Sequence, residues 1–301
     1  MYRNAYVLLL LTTLFWGGNS IAGKFAIGHV SPMMLTALRW GLAVLALMAI
    51  GGIPRFRRDW PAVRRNLPLL FLLGATGFTL FNAAMYSALL YTSAINVSIE
   101  QAGMPMLIFA ANFILYRMGV TPGQIAGFTL SLAGVGLTAS HGNLFSLAEL
   151  DINRGDLLML VGIVIYSAYT VALRHKPDIH WQSLMLALCM AAFVLSLPFV
   201  AWEWFTDRLI LPDARGWAVT AYVVVFPSVI AQIFFIRGVE LIGANRAGLF
   251  INMVPIFGTL LSIMILGEAF HLHHAVALAM VLGGIWLAEH SGRKRAMSKP
   301  D

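Results

Sequence analysis

Cysteine is almost missing from this chain: Cys189 stands alone among 301 residues, inside an apolar run. One thiol excludes an intrachain disulfide framework and a thiolate metal cluster, and leaves Cys189 as a small residue for an interior. Charge is scarce as well. Charged residues make up 11 % of the chain against 59 % hydrophobic. A water-soluble domain of this size needs a charged surface, so the solvent of this chain is lipid. At about 20 residues per span there is room for roughly ten helices and none for a soluble domain. Also missing is a Walker-type phosphate loop, which argues against ATP-driven transport unless a partner supplies the motor. An intramembrane enzyme requires Ser with His, or paired aspartates, within its spans. Here the histidines fall at loops or run ends, and no Asp falls well inside a run. Nothing in the sequence asks for a cofactor.

What is present is a series of apolar runs at about 5–26, 32–50, 68–90, 95–115, 123–140, 155–173, 183–203, 217–237, 244–266 and 275–290. Lipid leaves no backbone partner for an open strand, and the runs lack the alternation of barrel strands, so each reads as a helix. The first run is too long for a signal-peptide core and is read as an uncleaved span. The net charge of +7 does not point to nucleic acid, because the basic residues sit in short segments between the runs, where they orient the chain. With the N-terminus inside, one face holds Arg3, Arg55, Arg57, Arg58, Arg64, Arg65, Arg117, Arg174, Lys176, Arg237, Arg246, Arg293, Lys294, Arg295 and Lys299. The other holds Arg154, Arg208 and Arg215. This bias predicts that both termini are cytoplasmic.

Shifting the chain by 150 positions lays span one on six and so on to five on ten, without a gap. Letter-for-letter identity is weak, so the register of spans carries the argument. Within it Trp16 meets Tyr166, Lys24 meets Arg174, Asn82 meets Gln232, Pro105 meets Pro255 and Gly134 meets Gly284. Five is odd, so the halves, 1–145 and 146–301 with its basic tail, are expected to lie upside down relative to each other, a recurrent design of secondary transporters.

The first span reads LFWGGNSIAGKFAIG, the sixth IVIYSAYTVALRH, the third-to-fourth junction YSALLYTSAINVSIEQAGMPML and the ninth NMVPIFGTLLSIMILGE. In their order and spacing these segments resemble the drug/metabolite transporter superfamily, specifically its ten-span, two-repeat EamA branch, over nearly the whole chain. Aromatic amino-acid exporters of the YddG type look closest. The resemblance implies a basket-like bundle with a central cavity lined largely by spans three, four, eight and nine, and export of small solutes across a bacterial cytoplasmic (inner) membrane. One departure is visible: Gly267 and Glu268 carry the family's Gly-Glu ending in the second half, whereas Arg117 and Met118 stand at the matching positions of the first.

Ionisable side chains in spans need a partner or a water-filled cavity. Lys24 falls near the outer end of span one, and Arg39 and Glu100 fall roughly 8 to 10 Å in from the outer face. Equal depth permits a gate or ion pair in which Glu100 meets Arg39 or Lys24, or cations that receive a substrate carboxylate; the bland alternative is a structural ion pair, with Lys24 snorkelling to the interface. Pro105 and Pro255 free a backbone carbonyl in mid-span and are candidate hinges, although kinks also occur in purely structural helices. Pro227 faces Gly77 under the repeat and is expected to bend only one half.

Asn82 and Gln232, with Gln101 and Asn252, offer amides suited either to a zwitterionic solute or to interhelical bonds worth about 0.6 kcal/mol; Asn112 and Asn245 are weaker candidates of that type. Trp16 and Tyr166 fall near the midplane, where with Tyr86 and Tyr169 they wall a pocket or pack an ordinary core. Gly119, Gly123 and Gly127 suggest close helix packing, within a monomer or across a homodimer. His271, His273 and His274 lie on an outer loop without a carboxylate arrangement that would make a metal site.

The expectation is therefore an all-α membrane protein, a secondary transporter of small metabolites, most of all amino acids including aromatic ones. Nucleosides or cationic drugs are the alternative cargo, and an intramembrane enzyme or structural protein the alternative class.

Overall fold

The computed structural model describes residues 4–116, 121–142 and 153–297. Arg3, Arg117, Met118, Gly119 and Lys299 lie outside the described residues, as do the side chains of Asn245, Arg293, Lys294 and Arg295.

Backbone polar groups in lipid must be satisfied within the segment that carries them, and no strand occurs among the described residues. The helical stretches are α1 (Ala5–Ala26), α2 (Pro32–Arg65), α3 (Leu67–Ala88), α4 (Ala94–Leu115), α5 (Pro122–Ala139), α6 (Arg154–His175), α7 (Trp181–Phe205), α8 (Ala214–Ile242), α9 (Arg246–Leu266) and α10 (Leu272–Met297). Eight of these, all but α5 and α10, are long and apolar enough to cross a membrane. The apolar part of α10, Leu272–Ala288, is shorter.

Their starts are written locally. Asn4 caps α1 through Tyr6 and Val7, Thr121 and Gln124 form a reciprocal capping box on α5, and Asn153 and Asp213 cap α6 and α8. Each occupies one of the N–H groups that a helix start leaves unpaired. Two further starts are capped from a distance. Glu203, at the end of α7, accepts from Ser31 Oγ and from the Met33 and Met34 amides of α2. Glu268, after α9, accepts from the Ala94 and Ile95 amides of α4.

In α2 the helix bends at Ile50 and Gly51. Gly51 adopts φ 89°, which glycine tolerates without steric penalty. Beyond the bend, Ile53–Arg65 is strongly amphipathic. Val63 is buried while Arg55, Arg57, Arg58, Arg64 and Arg65 face outward, so the basic segment between the second and third apolar runs is a surface helix.

The two halves interlock. α1 packs on α8 and α9, as α6 packs on α3 and α4; α2 and α7 pack on each other, and so do α5 and α10. These pairings exchange when 150 is added to residue numbers, and local irregularities follow the same register. A π-helical stretch spans Gly74–Leu80 in α3, and another spans Val224–Ile230 in α8. Pro227 therefore does not bend one half alone. It lacks the N–H that an α-helix would use, while in the other half the Tyr169 ring lies so close to Gly77 that a Cβ there would stand 2.5 Å from it. Proline chemistry in one half and ring packing in the other accompany the same deformation.

Helix α4 is interrupted at Ala102 and Gly103, just before Pro105, and α9 by a 3-10 turn, Phe250–Met253, just before Pro255. Both prolines thus sit at the start of an α-helical segment, where a missing N–H costs least.

Candidate functional site: a buried guanidinium and a polar vestibule

Arg39 occupies the centre, 5 % exposed, where α1, α2, α3 and α8 meet. Its Nη1 shares two N–H groups among Asn82 Oδ1 at 2.7 Å, Tyr86 Oη at 2.7 Å and Asn19 Oδ1 at 3.0 Å, and its Nε donates to Ser228 Oγ at 2.8 Å. Tyr86 Oη in turn donates to Asn19 Oδ1, Asn82 Nδ2 to Phe78 O, and Ser228 Oγ to Val223 O, so the acceptors are held in place by their own second bonds. The last reaches back five residues, which the π-helical stretch allows. The Trp40 ring lies 4.7 Å from the guanidinium carbon.

Every one of these partners is neutral. A buried charge normally stands beside an opposite one because desolvation costs several kcal/mol per ion; here hydrogen bonds and a π face substitute. The four bonds use Nε and Nη1 and leave the Nη2 edge for an incoming group. A guanidinium presents its donors as a planar fork that matches a carboxylate.

Around this cation the aromatic residues divide into two groups. Tyr166, half-buried, packs against Phe81 with centroids 4.7 Å apart and against Tyr169 at 5.3 Å. Its repeat mate Trp16 stands apart on the α8 side, where Nε1 donates to Pro227 O at 3.1 Å and the ring meets Phe235 at 5.4 Å.

The gate anticipated from equal depth does not form. Lys24 Nζ donates to Leu89 O at 2.8 Å, capping the C-terminal end of α3, and Arg39 uses the neutral partners above. Glu100, 0 % exposed, faces Asp156 rather than a cation. Depth along a span is set by sequence, but the direction in which a side chain leaves its helix is set by helix rotation. α4 turns Glu100 toward α6 and away from α2.

Of the remaining amides, Asn82 joins the Arg39 cage and Gln232 sits half-buried one turn beyond Ser228. Gln101 and Asn112 bond back to the carbonyls of Val97 and Ile108, and Asn252 lies in the 3-10 turn before Pro255.

A second polar region opens at the end of the bundle that the charge bias assigns to the outside. A cavity of about 550 Å³ is lined by Lys24, Thr92, Asn96, His141, Glu268 and His273, among others. Asp156 lies beneath it, fully buried. It accepts from Thr92 Oγ1 and, at 3.3 Å, from Asn96 Nδ2, and its Oδ2 stands 3.2 Å from Nε2 of the half-exposed His141. The rings of His271, His273 and His274 gather at the rim, yet among the described residues no three His, Cys, Asp or Glu side chains are placed to hold a metal ion.

Sequence reasoning missed Asn19, Ser228, Asp156, Glu203 and His141. Asn19 was legible as a polar interruption of an apolar run. Asp156 and Glu203 were not, since each is close enough to a span end to pass for an interfacial charge.

Comparison with known proteins agrees with this architecture. The EamA-like transporter family matches twice, over residues 3–140 and 153–289. The transporter YyaM of Bacillus subtilis is 26 % identical over 295 residues, covering 95 % of this chain and 94 % of that protein. A transporter of Archaeoglobus fulgidus is 27 % identical over 297 residues, covering 95 % and 98 %. A biotin transporter of Salmonella typhimurium is 21 % identical over 288 residues, covering 93 % and 91 %. A crystal structure with TM-score 0.66 and 22 % identity, covering 96 % of this chain and 98 % of that one, shares the fold. With two family matches spanning most of its length, this multi-pass membrane chain belongs to the EamA-like transporter family.

Proposed function

We propose that this protein is a secondary transporter that moves small carboxylate-bearing metabolites, amino acids including aromatic ones first among them, by alternating access around Arg39. The observation that carries the reading is the buried guanidinium whose hydrogen-bond partners are all neutral. A site of this kind attracts an anionic group and is built from both halves, since Asn19, Arg39, Asn82 and Tyr86 come from the first and Ser228 from the second. Tyr166 and Tyr169 offer apolar faces next to it. Biotin, the cargo named for one relative, also carries a carboxylate.

The same reading takes the chain as ten spans in two inverted halves, 1–145 and 146–301, with both termini cytoplasmic in a bacterial inner membrane. The even span count and the clustering of basic residues on one face support this orientation. Transport runs outward, as in the exporters the chain resembles, and Pro105 and Pro255 serve as the hinges of the two halves.

Counterflow in proteoliposomes tests the reading. L-phenylalanine and biotin are compared with their uncharged-amide counterparts, in the native protein and in Arg39→Gln and Arg39→Lys. The expected result is exchange of the carboxylates alone, lost in Arg39→Gln and only partly retained in Arg39→Lys, whose ammonium cannot present the fork. Equal exchange of acids and amides by the native protein would sink the proposal.

A further inference from the structure

Three buried acceptor oxygens on one turn of α4, Asn96 Oδ1 and both Oε atoms of Glu100, meet no hydrogen-bond donor, and a fourth, Asp156 Oδ2 on α6, faces only His141 Nε2 at 3.2 Å. Orphaned buried polar atoms are uncommon in native proteins and mark an ion, a proton or a water that completes the site. Glu100 lies one helical turn beyond Asn96, whose amide already reaches Asp156, so the two carboxyl groups share one interior space. Two carboxylates so placed cannot both remain ionised in a dry interior, because each disfavours the charge of the other.

The charged and titratable groups on the surrounding elements do not neutralise them. From α1, Lys24 is committed to Leu89 O; from the α9–α10 connection, Glu268 is committed to two amides and His271 stands at the cavity rim with His273 and His274 of α10; from α6, Arg154 is exposed. The remaining one is His141, which follows α5. Its imidazole is 53 % exposed and touches Asp156.

We propose that Glu100 and Asp156 form a proton-binding site, loaded from the outer vestibule through His141, whose filling and emptying couple solute movement to the proton gradient. One proton supplies the missing donor: as a carboxylic acid, Glu100 gains an O–H for a neighbouring acceptor. The transfer balances in charge and atoms. Nε2–H of the His141 imidazolium gives its proton to Asp156, leaving a neutral imidazole and a neutral acid. Asp156 then passes a proton to the Glu100 carboxylate and returns to its ionised form.

Coupling rests on the transporter reading above, whereas proton binding does not, and two measurements separate them. In the first, infrared difference spectra of the full-length protein in liposomes are recorded across steps of external pH, the proton itself being the probe. A carboxylic-acid carbonyl band that follows pH and disappears in the near-isosteric Glu100→Gln is expected. In His141→Phe the response to a pH jump should slow about tenfold or more. Should Glu100→Gln fail to fold, loss of the pH response in Asp156→Asn serves the same purpose. An unchanged band in these variants, or a band that follows added Na⁺ at fixed pH, would overturn the site.

In the second, phenylalanine or biotin uptake is driven by an imposed pH gradient. Glu100→Gln is expected to lose gradient-driven accumulation while keeping exchange at equal pH. Accumulation equal to that of the native protein would overturn the coupling. A native protein that exchanges neither solute but shows the titrating band condemns the cargo reading and leaves the proton site standing.

Discussion

Ser131 Oγ donates to the carbonyl of Val281 at 3.0 Å, and the two residues are repeat mates, 150 positions apart. They lie on the seam between α5 and α10, where the two halves touch through equivalent surfaces. A Cβ on Gly284 would stand 2.3 Å from Ser131 Oγ and 2.4 Å from the Gly127 carbonyl oxygen, so the helices meet at backbone distance. Small residues of this kind let membrane helices gain close van der Waals contact.

Gly284→Leu is therefore expected to lower the thermal midpoint of the detergent-purified protein, by the equivalent of about 1–3 kcal/mol for overpacking. The neighbouring Gly283 faces open space, with Leu130 Cδ2 at 4.0 Å as its nearest contact. Gly283→Ala should leave the midpoint unchanged or raise it slightly, by about 0.5–1 kcal/mol through reduced backbone freedom. Scanning fluorimetry of the two variants side by side checks the contrast, and equal effects would contradict the seam.

Asn82 holds Arg39 through a 2.7 Å bond and is itself fixed by its bond to Phe78 O. Asn82→Leu removes an acceptor from a buried cation, a loss of about 1.5–3 kcal/mol. The variant should be less stable and should also exchange carboxylate solutes poorly. Asn112→Leu is the control, since Asn112 only bonds back to Ile108 within its own helix. If both amide replacements impaired exchange equally, the Arg39 cage would have no special standing.

Glu203 joins the end of α7 to the start of α2. It accepts from Ser31 Oγ at 2.6 Å and from the Met33 and Met34 amides at 3.0 and 3.2 Å, at a helix N-terminus where negative charge is favoured. Glu203→Ala strands two amides and a hydroxyl and is expected to cost about 2–4 kcal/mol. Glu203→Gln, which keeps one carbonyl acceptor, should cost less. The order Ala below Gln below native in thermal midpoint is the check, and identical midpoints for all three would show that the cap contributes nothing.

Asp213, in the exposed connection before α8, caps the Gly216 amide at 2.8 Å and meets His29 Nδ1 at 2.7 Å. The Gly216 N–H and then the His29 ring hold its carboxyl below the ordinary aspartate range. A carboxyl depressed in the folded state stabilises that state at pH values above its unfolded pKa, and the contribution is lost as pH falls through the folded value. Native protein and Asp213→Ala should therefore differ in thermal midpoint near neutral pH and converge in strong acid. A difference that persisted unchanged at the acid end would exclude this carboxylate as the source.

Hydropathy and charge placement made the helices legible, and the repeat register made the fold legible, because both depend on quantities that run along the chain. The site was legible in part. Arg39, Asn82 and Tyr86 were visible as polar or amphipathic residues in apolar runs and come together around one guanidinium. Glu100 was equally visible but was assigned the wrong neighbours. Asn19 and Ser228 were passed over because a lone Asn and a serine beside a proline look unremarkable in a membrane helix. Only their partners give them meaning.

The sequence by itself determined that this chain lives in lipid, that its segments are helical, where they begin within a few residues, and that its halves correspond at an offset of 150 positions. Lipid enforces helices on any apolar run of sufficient length, so no tertiary information is needed for that much. The tertiary structure alone decided which way each helix is rotated. Rotation is fixed by packing against neighbours far away in sequence, and it is rotation that sent Arg39 to three amphiphilic side chains and a serine, and Glu100 to Asp156.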